Sequence, residues 1–163
     1  MSFDIRFATP GDAPTILHLI RLLAEHEHEP EAVAVTIAEL RAQLGEAHPP
    51  FECLIAEDDR RPIGFALFFR NYSTWRGRPG LFLEDLFVVE EYRGRGVGAA
   101  LMGRLRQIVA ERGWGRMEWA VLNWNEPAIK FYRALGAKPM DEWTVFRLTR
   151  QEIAKLANSE HVG

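Results

Sequence analysis

Residues 80–99 read Gly-Leu-Phe-Leu-Glu-Asp-Leu-Phe-Val-Val-Glu-Glu-Tyr-Arg-Gly-Arg-Gly-Val-Gly-Ala, three elements in unbroken succession. Residues 81–89 are dominated by aliphatic, aromatic and β-branched types and read as a buried strand. Glu84 and Asp85 interrupt it, and a buried strand does not carry charge without a reason. The turn Arg93-Gly94-Arg95-Gly96-Val97-Gly98 then feeds a helix whose apolar face is Val97, Leu101, Met102, Leu105, Ile108 and Val109. Its glycines remove the Cβ atoms that would block a ligand or forbid unusual backbone angles. Unpaired N–H groups at the helix start, with the helix dipole, can hydrogen-bond an anion such as a pyrophosphate, and Arg93 and Arg95 add positive charge. An anion cradle thus follows directly on a pair of carboxylates.

Several folds build phosphate sites in this way. A Walker loop requires a Gly-Lys-Ser/Thr ending that this turn lacks, which argues against nucleoside triphosphate hydrolysis. Gly94, Gly96 and Ala99 satisfy a Rossmann dinucleotide fingerprint, but that fingerprint belongs to the first βαβ unit. Here half the chain comes first and reads as β-α-α-β-β, and the remainder is too short for a doubly wound domain.

Arg93, Gly96 and Gly98 match the cofactor signature Arg/Gln-x-x-Gly-x-Gly/Ala, and by it the chain resembles the GCN5-related N-acetyltransferase (GNAT) superfamily. A second block agrees: Leu122-Asn123-Trp124-Asn125-Glu126-Pro127-Ala128-Ile129-Lys130-Phe131-Tyr132-Arg133-Ala134-Leu135-Gly136-Ala137 is similar to the next motif of that superfamily. The residue chemistry independently gives the same layout there, with Asn125 as N-cap, Pro127 in the first turn and Gly136 ending the helix. Tyr72-Ser73-Thr74-Trp75-Arg76-Gly77-Arg78, with Leu83-Glu84-Asp85, resembles the diamine branch, the spermidine/spermine and thialysine acetyltransferases. The polyamine enzymes carry an acid and a Pro before the Trp. This chain has Ser73 and Thr74, which favours the thialysine-type pattern.

The resemblance implies acetyl-CoA as cosubstrate, without a metal. Its pyrophosphate would lie on the amides of Arg93, Gly94, Arg95, Gly96, Val97 and Gly98, and its pantetheine arm along the strand backbone at Leu86, Phe87 and Val88, with Asn125 and Tyr132 beside it. The implied fold is α+β and layered, with a mixed, mostly antiparallel central sheet of six or seven strands flanked by about four helices, in one GNAT acetyltransferase domain over residues 1–163. A homodimer is implied too, with the C-terminal strand at the interface.

Individual elements are legible without the resemblance. Strands are expected at residues 5–8, 51–57, 62–72, 81–89, 117–122 and 143–148, with a hairpin turn at Asp58-Asp59-Arg60-Arg61. The first helix, with Asp12 as cap and Pro14 in its first turn, has Ile16, Leu17, Ile20 and Leu23 as its core face. Thr36 with Glu39, and Thr149 with Glu152, form capping boxes for two more helices. His26 and His28 lie among acids, but residues two apart on a helix face different ways, so a solvated charged turn is read in place of a metal site. Glu27 in this segment is a substrate-site candidate, because the resembling diamine enzymes use acids here to receive the far end of the amine.

A net charge of −3 lacks the basic excess of a nucleic-acid binder and suits a cationic amine. Cys53 is the single cysteine, read as a buried structural thiol, so no intrachain disulfide is possible. No stretch approaches the ~20 apolar residues that span a bilayer, and Met-Ser-Phe-Asp lacks a secretory pattern. A cytoplasmic protein that engages neither nucleic acid nor membrane is expected.

Acetyl transfer to an amine needs a base and an acid. An alkyl ammonium of pKa ~10 is protonated at neutral pH, so a carboxylate must receive its proton, directly or through water. Glu84 is the candidate base, with burial in the strand expected to raise its pKa; Asp85 points the other way unless a bulge intervenes. Tyr132 is the candidate acid for the departing thiolate, and a backbone N–H near Phe87 or Val88 the candidate donor to the carbonyl oxygen. Trp75 could wall an alkyl ammonium, and Arg78 could hold an amino-acid carboxylate. The expected activity is acetylation of a small-molecule primary amine, a diamine or a thialysine- or ornithine-like amino acid, by direct attack in a ternary complex. A protein Lys or N-terminal acetyltransferase would share every cofactor residue, and a non-catalytic acyl-CoA-binding module would need neither Glu84 nor Tyr132.

Overall fold

The computed structural model describes residues 2–159, which form two compact units that divide between Ala120 and Val121. The first unit holds a five-stranded sheet in sequence order, β1 (Asp4–Phe7), β2 (Glu52–Asp58), β3 (Arg61–Ser73), β4 (Arg78–Val88) and β5 (Met117–Trp119). The first four strands pair antiparallel, and β5 pairs parallel with β4 after the crossover through α3 (Val97–Arg112). Helices α1 (Ala13–His26) and α2 (Ile37–Leu44) lie between β1 and β2. The class is the expected layered α+β fold, with one strand fewer than the lower expectation.

Strand register assigns the two faces of the sheet. Phe65 and Leu67 of β3 stand opposite Phe87 and Asp85, so all four side chains share one face. That face meets α1, whose His26 ring lies 6.2 Å from Phe87. On the other face Phe68 stands opposite Leu83 and Glu52, and Glu52 receives both forks of Arg112 from α3, at 2.6 and 2.8 Å. The core is apolar on both sides: Ile16, Leu19, Leu54, Ile55, Phe65, Phe68, Leu81, Leu101 and Leu105 are fully buried. Cys53 is buried among them, and burial pushes its thiol pKa up, as befits an inert structural residue.

Three local expectations change. Asp12 stands at the N-cap of α1, but its carboxylate accepts from Arg6, at 2.8 and 2.9 Å, and from the Thr9 N–H at 2.7 Å, in place of a helix amide. The Arg6 guanidinium holds the Asp12 pKa down to about 2 and also reaches Glu57, at 2.7 Å, which ties β1 to β2. Strand β5 is only three residues long, so residues 120–122 are not strand. Residues 143–148 form no strand either: no described strand pairs with them, and Val145 and Phe146 are 83% and 93% exposed. A strand without a partner ladder leaves its backbone groups to water, so an apolar β-like sequence alone does not make one.

The second unit holds α4 (Glu126–Ala134) and α5 (Arg150–Ala157). Asn125 caps α4 by accepting the Ala128 N–H at 3.3 Å, and Gly136, at φ 89°, follows its C-terminus as the left-handed residue. Thr149 and Glu152 form the capping box of α5 as expected.

The β2–β3 turn carries Asp59 at φ 44° and Arg60 at φ 66°, the two positive angles of a tight hairpin, on residues other than glycine. Each such residue costs about 1 kcal/mol or more. Replacing exposed Arg60 by Gly is expected to raise unfolding stability by about 1 kcal/mol, less the extra entropy of glycine in the unfolded chain. Denaturant titration reads this directly; a loss of stability would show that the turn is not strained.

Candidate active site

The β3–β4 ladder contains one irregularity. Leu67 stands opposite Asp85 and the next residue, Phe68, opposite Leu83, so Glu84 is an extra residue bulged out of the pairing. The bulge reverses the parity of everything after it. Val89 N–H donates to the Ile63 carbonyl at 2.9 Å, so the backbones of Val89, Phe87 and Asp85 are directed at β3. The Phe87 carbonyl lies 2.8 Å from where a Cβ on Gly64 would stand, a close approach that only glycine permits. Leu86 and Val88 therefore direct their backbone groups to the opposite side. There β5 pairs with β4 only at Leu81, Phe82 and Leu83, so the strand edge beyond is not covered by β5.

An extended group such as a pantetheine arm can pair with that edge. Of the three backbone candidates, Leu86 and Val88 face it. Phe87 does not: its backbone pairs with β3, a correction that leaves the Val88 N–H as the oxyanion donor candidate. Arg93 also differs from expectation. Its Nε donates to the Val88 carbonyl at 2.9 Å and its guanidinium carbon lies 5.3 Å over the Phe87 ring, so it pins the end of β4.

The glycine-rich turn has the open backbone that an anion cradle requires. Gly94 and Gly96 have φ of 73° and 85°, and no heavy atom lies within 4 Å of the Cβ either would carry. Gly96 is the N-cap of α3, so the first amides of a sixteen-residue helix open beside Arg95 and Val97. This geometry fits the diphosphate of a CoA thioester.

The two acids of β4 have different surroundings. Glu84 is exposed on the bulge, which corrects the expectation of a buried side chain. Asp85 is the largely buried one, on the α1 face. Burial, reinforced by the charges of Glu84 and Glu27, pushes its pKa up to about 7. Glu27, the C-cap residue just after α1, has its own pKa raised by burial. The fold thus brings Glu27, Glu84 and Asp85 into one acidic cluster. Beside it, a cleft of about 860 Å³ runs between α1 and the end of β4, lined among others by His26, Glu25, Phe87, Val89, Arg61 and Arg93. Burial and the Arg93 charge lower the His26 pKa. Among the described residues no group of three or more His, Cys, Asp or Glu side chains could hold a metal ion, and no helix is long and apolar enough to cross a membrane.

The backbones of Trp75 and Arg78 lie toward the other end of β4 from this cluster. Arg78 opens β4, six residues before Glu84 in extended chain, or about 20 Å at ~3.3 Å per residue. Trp75 is 85% exposed in the preceding turn. On α4 of the second unit, the Tyr132 ring lies 5.5 Å from that of Phe131.

A layered sheet with a bulged, half-uncovered strand feeding a glycine-capped helix defines an acyl-CoA-dependent transferase. Residues 14–137 match the Acetyltransferase (GNAT) family. The thialysine N-epsilon-acetyltransferase of Bos taurus is 37% identical, with 94% of this chain and 96% of that protein covered. The L-ornithine N5-acetyltransferase of Arabidopsis thaliana is 30% identical over 89% of this chain and 83% of that protein. A solved aminoglycoside N-acetyltransferase in complex with CoA is 26% identical, with TM-score 0.73 over 91% of this chain and 95% of that one. The chain belongs to the GNAT acetyltransferase family and is an N-acetyltransferase that uses acetyl-CoA.

The Asp85 environment has a consequence for stability. Because its pKa is higher in the folded chain than in the unfolded one, the folded state binds more proton between about pH 4 and 7. Stability is therefore lost as pH rises through that window. Asp85→Asn is expected to be more stable than the parent by on the order of 2–4 kcal/mol above pH ~7, with the gap closing below pH ~4. Thermal unfolding at several pH values reads this, and a gap independent of pH would contradict the buried, electrostatically opposed carboxylate.

Proposed function

We propose that the enzyme acetylates a primary amine of a small diamine or of a diamino acid of the thialysine or ornithine kind, in the cytoplasm, by direct attack in a ternary complex. The observation that carries this reading is the bulge. It sets Glu84 where the uncovered edge of β4 begins and leaves Asp85 on the α1 face with Glu27. The thialysine and ornithine acetyltransferases among the relatives support the same substrate class.

In this reading acetyl-CoA supplies an acetyl thioester. The amides at Gly94, Arg95, Gly96, Val97 and Gly98 hold the diphosphate, and Leu86 and Val88 pair with the arm. Glu84 receives the ammonium proton, directly or through water, and frees the lone pair. Val88 N–H stabilises the carbonyl oxygen as it gains charge. Tyr132 returns a proton to the thiolate and Asn125 serves the same motif, roles that rest on the family resemblance. Asp85 and Glu27 attract the second cationic group of the substrate. The proposal takes residues 1–163 as a single acetyltransferase domain, an assignment that rests on the family resemblance.

The reading is tested by CoA thiol release with thialysine, ornithine, lysine, putrescine, spermidine and a Lys peptide. One small diamino substrate should dominate. Glu84→Gln and Tyr132→Phe should each lower kcat about a hundredfold. Asp85→Asn should chiefly raise the amine KM. The parent enzyme should bind amine better as pH rises through about 7, where Asp85 ionises, and the variant should lose that dependence. Preference for the Lys peptide, or an unchanged kcat in Glu84→Gln, would overturn the assignment.

We also propose a homodimer in which residues 143–148 meet a second copy. Trp143, Val145, Phe146 and Leu148 are 66%, 83%, 93% and 58% exposed, a large apolar surface for a single chain. Light scattering should give twice 18.7 kDa, and Phe146→Asp should return the monomer mass. A monomeric parent protein would remove the proposal.

A further inference from the structure

The cofactor turn is exposed backbone. Residues 93–96 are all exposed, and two of the four are glycines at positive φ. Such a segment loses much conformational freedom when it orders on a ligand. Something must keep it near the bound shape for its amides to act together.

Tyr92 stands immediately before it. Its hydroxyl donates to Asp58 Oδ2 at 2.7 Å, across from the end of β2. Two guanidinium groups lie over its ring, Arg61 at 5.5 Å and Arg95 at 5.2 Å from the centroid. Arg61 also pairs with Glu91 at 3.5 Å, and Val89 N–H is already bonded to the Ile63 carbonyl. Asp58 and Arg61 flank the strained pair Asp59 and Arg60, so the same hairpin that carries two left-handed residues receives the turn. Arg95, the middle residue between Gly94 and Gly96, is thus connected through one aromatic ring to the β2–β3 hairpin.

We propose that Tyr92 is a positioning residue for acetyl-CoA: by joining Arg95 to Asp58 and Arg61 it holds residues 93–96 in the anion-receiving conformation. The inference rests on the CoA-binding reading of this turn and not on the identity of the amine. Tyr92 takes no part in the chemistry. Its loss leaves the turn free to leave the bound shape, and binding must then restore it.

The test uses the full chain. Tyr92→Phe keeps the ring and removes the hydroxyl, Tyr92→Leu removes both, and Asp58→Ala removes the acceptor. Titration calorimetry with CoA should show affinity falling about three- to tenfold for Tyr92→Phe and Asp58→Ala, and further for Tyr92→Leu. The Tyr92→Phe/Asp58→Ala double variant should be no weaker than the worse single variant, because both break one bond. The KM for acetyl-CoA should rise in parallel, while kcat at saturating acetyl-CoA and the amine KM stay within about twofold. A purely structural role would instead lower kcat and melting temperature together without this split. CoA affinity within about twofold of the parent in Tyr92→Phe and Asp58→Ala, or additive effects in the double variant, would overturn the proposal. Parent protein that binds CoA but acetylates no small amine would defeat the substrate reading and leave this one standing.

Discussion

One unpaired residue organises the first unit. Without the bulge at Glu84, β4 would continue its alternation unbroken past Leu83, and the two acids would simply take opposite faces. Inserting one residue against an uninterrupted β3 moves Asp85 into register with Leu67 and turns the Leu86 and Val88 backbones away from β3. Two functions then follow from a single irregularity. A carboxylate enters the low-dielectric face under α1, and a row of backbone groups becomes available where β5 has stopped.

The bulge has an energetic cost that the rest of the sheet can meet. Phe65, Phe68, Leu81 and Leu83 are fully or almost fully buried on either side of it, and each buried side chain of this size contributes about 1.5–3 kcal/mol. Asp85 is held against its own preference for water by that packing, and the proximity of Glu27 and Glu84 opposes its ionisation further. An arriving cation relieves both effects. In the proposed reading, the cluster thus favours positive charge in the state in which it is least stable alone, which would direct binding energy to one substrate class.

Most of the fold was legible because its elements obey local rules. The periodicity of Val97, Leu101, Met102, Leu105 and Ile108 placed α3 and its buried face, and capping boxes placed the starts of α2 and α5. What depended on pairing was not legible. The bulge is a register fact of two strands, pairing Asp85 with Leu67, 18 residues away in sequence, and β4 itself carries no mark of it, so Glu84 was expected to be buried and is exposed. The strand expected at residues 143–148 failed for the same reason, since alternation describes a strand only when a ladder exists to receive it. Arg78 and Trp75 lie close to the acids in sequence, yet extended chain carries them far from Glu84. Tyr92 carried no signal at all, because its partners come from the β2–β3 hairpin.

The two arginines of the glycine-rich turn illustrate how a motif can conceal a division of labour. Spacing alone gives Arg93 and Arg95 the same task, adding positive charge beside an anion. The structure separates them. Arg93 turns back onto β4, where its Nε bonds the Val88 carbonyl and its guanidinium covers Phe87, so it stabilises the last turn of strand before the edge is used. Arg95 turns to the Tyr92 ring and, through it, to the hairpin. Each guanidinium lies over an aromatic ring, Arg93 over Phe87 and Arg95 over Tyr92, so each shapes the turn from a different side. One motif thus carries two positioning tasks, the end of β4 for Arg93 and the β2–β3 hairpin, through Tyr92, for Arg95.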